Sequence, residues 1–75
     1  MRPKKFLVSA INSNSIKVYD AVSQQLQRII PVSGVIKSAP ISEGNSMEVT
    51  IEKNEQTYKE IYALPNGNLI SSQLI

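Results

Sequence analysis

The side chains that could do acid–base chemistry in this sequence are six carboxylates, because its 75 residues include neither histidine nor cysteine. Histidine is the commonest general base near neutral pH, and cysteine supplies thiolate nucleophiles and metal ligands. Their absence also removes the usual ligands of zinc, copper, haem and iron–sulfur sites. We therefore predict a protein that is not an enzyme and that holds no metal ion or cofactor. The carboxylates belong to Asp20, Glu43, Glu48, Glu52, Glu55 and Glu60.

The best-spaced carboxylates are those of Glu48 and Glu52, which share one side of an alternating run at residues 47–52. At about 3.3 Å per residue in a strand, they would stand about 13 Å apart. The carboxyl pairs of glycosidases lie about 5 to 10 Å apart, so we interpret the two glutamates as a solvated strand face. Asp20 precedes a short polar segment and is predicted to cap a turn.

The charges that could bind an anion are Arg2, Lys4 and Lys5, the one basic cluster in a chain of formal net charge +2. A solvated arm, residues 1–5, is favoured over a phosphate-binding arm. No aromatic side chain lies in this cluster, so nucleic-acid binding is not expected. No apolar run approaches the ~20 residues of a membrane span, and no secretory signal is recognisable, so we expect a cytoplasmic origin.

The elements that must position these side chains are predicted to be strands. Ile, Val and Thr together number 18 and favour strands, whereas the 10 Ser and six Asn cluster where turns are expected. The predicted fold class is all-β: a single domain, residues 1–75, folded as an antiparallel meander of about seven short strands. These are placed at residues 5–11, 16–19, 26–32, 35–41, 47–52, 57–64 and 69–75.

Several of these strands carry more specific predictions. The run at residues 5–11 is apolar on both faces, which is typical of a central strand covered on both sides. Pro31 cannot donate to a ladder, so the third strand is predicted to lie at a sheet edge or to stop there. The alternation at residues 47–52 predicts a half-buried strand with its acidic side in water. Before the last strand, Pro65, Asn66 and Gly67 predict a tight turn that includes a left-handed residue.

Residues 20–30 admit a second interpretation. Asp20 could be the N-cap of a helix that stops at Pro31. The apolar side of this helix would consist of residues at helical spacing, namely Val22, Leu26, Ile29 and Ile30. We favour a hairpin at this place, because a second segment with the same pattern contains an obvious turn.

That second segment aligns with the first without gaps, at an offset of 43 residues. VYDAVSQQL at residues 18–26 lies over IYALPNGNL at residues 61–69, so that Tyr19 matches Tyr62 and Leu26 matches Leu69. Both segments are therefore predicted to be hairpins. The matched tyrosines could contact a ligand, although packing on a strand face with a hydrogen-bonded hydroxyl is the favoured interpretation.

A period near 43 residues is in the range of β-propeller blades, which have about 40 to 45 residues and four strands each. IKVYDAVSQQLQRI resembles the outer hairpin of a WD-repeat or quinoprotein-type blade, and IYALPNGNLI resembles the same hairpin in the next blade. IKSAPISEGNSMEVTIE is similar to the inner part of a blade. The resemblance divides the domain into blade-like units at residues 6–32 and 35–75. The sequence departs from the pattern of these blades at Gln24, where glycine is usual, and at Ala63, where aspartate is expected.

Chain length and this resemblance lead to the same expectation about partners. A domain of this size buries only about 60% of the surface that its unfolded chain exposes, and fewer than two blades cannot close a propeller of at least four. We therefore expect assembly with copies of the same chain and with other structural proteins. The predicted interface takes apolar residues from the first and last strands: Phe6, Leu7, Val8, Leu74 and Ile75.

The chain is also similar in style to small virion structural proteins of tailed bacteriophages, with Ile-, Val-, Ser- and Asn-rich hairpins and no cysteine. This resemblance implies a non-enzymatic structural protein of a virion tail or head, made in the host cytoplasm and acting through homo-oligomeric β-sheet contacts. The alternative is a small oligomeric, lectin-like carbohydrate-binding module in the cytoplasm, against which the lack of tryptophan counts. A nucleic-acid-binding barrel, the third hypothesis, predicts steeply salt-dependent binding.

Overall fold

The structure, a computed structural model, describes residues 5–75, which form antiparallel strands without any helix. The all-β prediction is confirmed, with eight strands instead of about seven. The strands are β1 (Phe6–Asn12), β2 (Ser15–Asp20), β3 (Leu26–Pro31), β4 (Val35–Ile36), β5 (Ile41–Glu43), β6 (Ser46–Lys53), β7 (Gln56–Ala63) and β8 (Leu69–Leu74).

The strands form two antiparallel sheets that share one core. The first sheet has the order β1-β2-β3, and the second has the order β4-β6-β7-β8, with β5 also paired to β6. The strand predicted at residues 35–41 is in fact two strands, β4 and β5, which pair with different parts of β6. Pro40 lies between them and cannot donate to a ladder.

The core lies between the inward faces of the two sheets, where alternate residues of each strand are buried. On β6, Met47, Val49 and Ile51 are at most 1% exposed, whereas Glu48 on the opposite face is exposed. The half-buried strand predicted at residues 47–52 is therefore confirmed. The buried apolar residues are Ile16, Val18, Ile30, Met47, Val49, Ile51, Tyr62 and Leu64.

β1 is an edge strand, so the prediction that the first apolar run is a central strand covered on both sides is wrong. In the part of the chain that the structure describes, it pairs only with β2, and Leu7 and Ile11 on its outer face are 43% and 42% exposed. Phe6 and Val8 on its inner face are half-buried against the core. The apolar pattern on both faces therefore reflects an apolar outer surface and not a second covering layer.

Residues 20–30 form a hairpin and not a helix, because Asp20 holds a turn between β2 and β3. Its Oδ1 accepts hydrogen bonds from the backbone N–H groups of Ser23 (2.9 Å) and Val22 (2.8 Å). These two bonds hold the pKa of the Asp20 carboxyl below its ordinary value. Within residues 5–75, β3 pairs with β2 alone and ends at Pro31, so the prediction that this strand lies at an edge or stops at Pro31 is confirmed.

The turns of the two matched hairpins have the same hydrogen bonds, 43 residues apart. The Asp20 N–H donates to the Gln25 carbonyl at 2.9 Å, and the Ala63 N–H donates to the Asn68 carbonyl at 2.7 Å. The ladders of both hairpins are also interrupted at the step into the tyrosine that the two segments share. The prediction that both segments are hairpins is confirmed.

The matched hairpins nevertheless turn opposite faces towards the core. Val18 is buried, whereas its counterpart Ile61 lies on the outer face of the second sheet. Conversely, Tyr62 is 4% exposed, whereas its counterpart Tyr19 lies on the outer face of the first sheet. The 43-residue match is thus a match of turn geometry, and the two units are not equivalent in their packing.

Each matched turn contains a left-handed residue, Gln24 with φ 63° and Gly67 with φ 82°. The left-handed residue predicted after Pro65 is therefore confirmed. This conformation costs a residue with a side chain about 1–2 kcal/mol, a cost that glycine avoids. Gly67 also lies close to Ile30, whose Cγ1 would be 2.9 Å from an added Cβ.

We expect Gln24→Gly to stabilise the protein by about 0.5–1 kcal/mol, because it removes a side chain from a left-handed position. Urea unfolding of the variant and the native protein measures the difference. Val22→Gly lies in the same turn, where the side chain is 93% exposed and φ is negative, and serves as the control. It should be neutral or destabilising, and a Gln24→Gly variant that behaves like it would contradict the expected relief of strain.

Candidate assembly interface

β8 ends the second sheet, and its outer edge is open. Among residues 5–75 it pairs with β7 alone. Residues 69–75 contain no charged residue and no proline. Edge strands usually avoid pairing with other chains by carrying such residues. Four apolar side chains on or next to β8 are 51%, 60%, 58% and 71% exposed, those of Leu69, Ile70, Leu74 and Ile75 respectively.

The other sheet edges are shorter or better protected. β3 carries Arg28 and ends at Pro31. β4 and β5 have only two and three residues. β1 is partly covered, because its Phe6 carbonyl accepts a hydrogen bond from the Ser42 hydroxyl of β5 at 2.7 Å. β8 is therefore the most accessible edge for another strand.

The backbone groups free to pair on β8 follow from its ladder with β7. The Ile75 N–H donates to the Thr57 carbonyl at 2.9 Å. Hydrogen-bonded and non-hydrogen-bonded pairs alternate in an antiparallel ladder, so Gln73 is bonded to β7 in the same way. The N–H and C=O groups of Ser72 and Leu74 then point away from β7. They are the donors and acceptors that a further strand would use.

Beside this edge lies Glu60, a fully buried residue of β7 directly opposite Ser72. Its Oε1 accepts hydrogen bonds from the hydroxyls of Tyr62 (2.6 Å) and Ser33 (3.1 Å), and its Oε2 accepts one from Ser72 (2.7 Å). The Lys53 Nζ donates to the Ser33 hydroxyl at 3.4 Å. These five residues, the Glu60 cluster, tie β8 to β7 and to the segment that joins the two sheets.

The Glu60 cluster holds the Glu60 carboxyl in its charged form and the Tyr62 hydroxyl in its neutral form. Burial by itself raises the pKa of the Glu60 carboxyl, but the hydroxyls of Tyr62, Ser72 and Ser33, with the charge of Lys53, hold that pKa below its ordinary value of 4.5. The pKa of Tyr62 is raised to about 12, mainly by burial and secondly by the hydrogen bond that its hydroxyl donates to Glu60. General acid–base catalysis favours a pKa near the working pH, and neither group has one at neutral pH. The arrangement is that of a structural ion.

We expect the free energy of unfolding to fall as the pH drops below about 4.5, the ordinary pKa of a glutamate. The folded-state pKa of Glu60 is lower than this value, so the unfolded chain takes up its proton first. The stability that ionised Glu60 contributes is thus present above pH 4.5 and lost as the pH falls through the folded-state pKa. Urea unfolding between neutral and acid pH measures this loss.

A Glu60→Gln variant has no group that titrates at this position, so its free energy of unfolding should depend less steeply on pH on the acid side. Asp20 also has a lowered pKa, so Asp20→Asn is the matched control and should leave the Glu60 part of the profile in place. A Glu60→Gln profile as steep as that of the native protein would mean that Glu60 does not set the acid sensitivity.

Sequence reasoning included Glu60 only as one of six carboxylates and did not single it out. The signal lay in strand alternation, because Glu60 shares the side of the strand at residues 57–64 that carries Tyr62 and Leu64. A carboxylate in phase with inward side chains must find hydrogen-bond donors. Two of those donors, Ser33 and Ser72, are 27 and 12 residues away in the chain, and only the fold brings them to Glu60.

The residues of the predicted interface fall on two separate surfaces. Leu74 and Ile75 lie at the exposed end of β8, whereas Phe6, Leu7 and Val8 lie on β1 in the other sheet. Phe6 and Val8 pack against the core, and only Leu7 faces outwards. The structure therefore does not join the two groups into one surface.

Tyr19 and Tyr62, the two alternative ligand contacts, lie in different environments. Tyr62 is buried with its hydroxyl on Glu60, so its ring is not open to a ligand. Tyr19 lies on the outer face of the first sheet, opposite Leu7 on one side and Leu26 on the other. The two tyrosines share no surface, and their placement does not favour the lectin alternative.

The charged residues considered for anion binding or catalysis do not gather into a site within the described part of the chain. Arg2 and Lys4 lie outside the described residues, and Lys5 is exposed. Glu48 is exposed, and Glu52 forms a salt bridge of 3.0 Å with a surface lysine. In residues 5–75, no three acidic side chains come together as a metal site would require. The same residues contain no helix long and apolar enough to cross a membrane.

Comparison of the chain with protein-family models, with curated proteins and with solved structures finds no match. Its function must therefore be inferred from its own geometry, in which the open edge of β8 and the Glu60 cluster beside it are the most distinctive features.

Proposed function

We propose that this protein is a non-enzymatic assembly protein, which joins copies of itself through a sheet edge as a structural component of a larger particle. The observation that carries the proposal is β8, an edge strand without charge or proline whose apolar side chains are more than half exposed. An exposed, apolar edge of this kind is a template for pairing with another chain.

The balance of buried and exposed apolar residues supports the proposal. In residues 5–75, eight apolar residues are buried in the core, whereas eleven large apolar side chains are exposed. A small domain is stabilised only marginally by its own core, and this chain has no disulfide to add stability. Association with further copies would cover part of the exposed apolar surface.

The particle that we propose is a virion, with this chain as a part of a bacteriophage tail or head in contact with other structural proteins. The similarity in style to small virion proteins supports this setting, together with an edge able to join copies. β5 to β8 form a four-stranded antiparallel meander, as a propeller blade would. The first sheet adds three more strands, so only several joined copies could supply the four blades of a closed ring.

Native mass spectrometry and light scattering on the 75-residue chain at micromolar concentration test the proposal. We expect an oligomer whose mass is a multiple of 8.3 kDa. A folded chain that stays monomeric over the whole micromolar range would overturn the proposed function.

A further inference from the structure

We infer that two copies pair antiparallel through β8, with Ser72 of one copy facing Ser72 of the other. This inference rests on the proposed assembly function and specifies the contact by which it begins. It would join the two second sheets into one continuous sheet across a twofold axis. The partner is thus a second copy of this chain, held by the type of interface that is commonest among soluble oligomers.

The sequence of β8 is self-complementary when two copies run in opposite directions. Residues 70–74 read ISSQL, which is apolar at both ends and polar between them. Pairing centred on Ser72 sets Leu74 against Ile70 of the second copy and Gln73 against Ser71 of the second copy. Leu74 and Ile70 are 58% and 60% exposed in the single chain. In the dimer, Leu74 of each copy would cover Ile70 of the other, which gives two symmetric contacts. A shift of one residue would set apolar side chains against polar ones.

The backbone groups of β8 fit the same register. Ser72 and Leu74 point their free N–H and C=O groups away from β7, as the alternation of the ladder requires. When Ser72 faces its counterpart, the two residues can exchange a pair of backbone hydrogen bonds across the axis. The Ser72 hydroxyl is already bound to Glu60, so it needs no partner at the new contact.

Charge does not oppose this contact. β8 has no charged residue, and the nearest charged side chains on β7 are those of Lys59 and Glu60. Across the joined sheet, the two β7 strands would be three strand spacings apart, about 14 Å. This separation exceeds the Debye length of about 8 Å at physiological ionic strength, so repulsion between like charges is screened.

Cysteine cross-linking tests this register, because the chain has no cysteine of its own. The variants are Ser71→Cys and Gln73→Cys, whose side chains lie on the outer face, away from Glu60. In the inferred dimer these two positions form a non-hydrogen-bonded pair with Cα atoms about 4.5 Å apart. That spacing suits a disulfide, which needs about 4.4–6.8 Å. Two copies of the same variant place their thiols on a diagonal of about 7–8 Å, which is too long.

We expect an equal mixture of the two variants to form several-fold more disulfide-linked dimer under mild oxidation than either variant alone. Gln27→Cys on β3, mixed with Gln73→Cys, is the matched control and should cross-link no better than the single variants. Native mass spectrometry before oxidation reports whether the copies associate at all.

The outcomes separate the inference from the proposed function. Association without preferential cross-linking of the Ser71→Cys and Gln73→Cys mixture would overturn the β8 register and leave the assembly function standing. Preferential cross-linking of the Gln27→Cys mixture would instead place the contact between β8 and β3, and would also overturn the inference. A monomer in native mass spectrometry would overturn both.

Discussion

Glu60→Ala is expected to lower the free energy of unfolding by about 3 kcal/mol, because the Tyr62 hydroxyl is left buried without its acceptor and the site is left underpacked. The hydroxyls of Ser33, Tyr62 and Ser72 would lose their acceptor, and a cavity would replace the carboxylate. Unfolding by urea titration measures this loss in the free energy of unfolding. Protein concentration must be fixed, because association adds to apparent stability. For a domain of this size the melting temperature should fall by about 12 °C or more.

Glu48→Ala is the matched control for this loss, because Glu48 is an exposed glutamate on the neighbouring strand β6. Substitutions at such surface positions usually change stability by no more than about 0.5 kcal/mol. Tyr62→Phe removes one hydroxyl donor and leaves the carboxylate in place, so its effect should lie between those of the two alanine variants. If Glu60→Ala proved as stable as Glu48→Ala, the Glu60 cluster would not hold β8 in place.

Leu74→Lys is expected to weaken self-association by about 100-fold. In the inferred dimer, Leu74 covers Ile70 of the second copy at two symmetric places, worth about 3 kcal/mol together. A loss of 1.4 kcal/mol is tenfold in a dissociation constant, so about 3 kcal/mol corresponds to about 100-fold. Leu74 is 58% exposed in the single chain, so the fold should survive the substitution. Sedimentation over a dilution series measures the dissociation constant.

Leu26→Lys is the matched control for the association, because Leu26 is 51% exposed on β3, another edge strand. It should leave the dissociation constant unchanged. If Leu26→Lys separated the copies and Leu74→Lys did not, the contact would lie at the edge of the first sheet and the account of β8 would be wrong. Thermal unfolding of both variants at high dilution would show that each chain remains folded.

The strands and turns could largely be predicted from the sequence, because local physics determines them. The alternation at residues 47–52 corresponds to one buried and one solvated face, and the turn after Pro65 contains the expected left-handed residue, which is Gly67. The match at an offset of 43 residues predicted the hairpin at residues 20–30 where periodicity alone also allowed a helix. There, the two backbone bonds to the Asp20 carboxylate favour the turn over the helix.

What could not be predicted depends on which strands become neighbours. The apolar run on β1 has the pattern of a covered central strand, yet it lies at an edge, and within residues 5–75 no further layer covers Leu7 and Ile11. The match between the two hairpins likewise gave no sign that Val18 and Ile61 would face opposite ways relative to the core.

The candidate site likewise has features that the sequence could predict and features that it could not. Leu74 and Ile75 could be proposed as interface residues from their apolar character alone, but the openness of β8 depends on sheet order. Glu60 was visible as a carboxylate in phase with inward residues, whereas its donors Ser33 and Ser72 come from distant parts of the chain. Such non-local contacts follow from the packing of the sheets and not from any local pattern.

Amide hydrogen exchange on β8 over a range of protein concentrations tests the central claim most directly. If β8 pairs with a second copy, the amides of Ser72 and Leu74 will be protected at high concentration and will exchange rapidly on dilution. The Gln73 amide, which is bonded to β7, will stay protected throughout. Rapid exchange of Ser72 and Leu74 at a concentration where the protein is oligomeric would contradict the claim that β8 is the edge through which copies join.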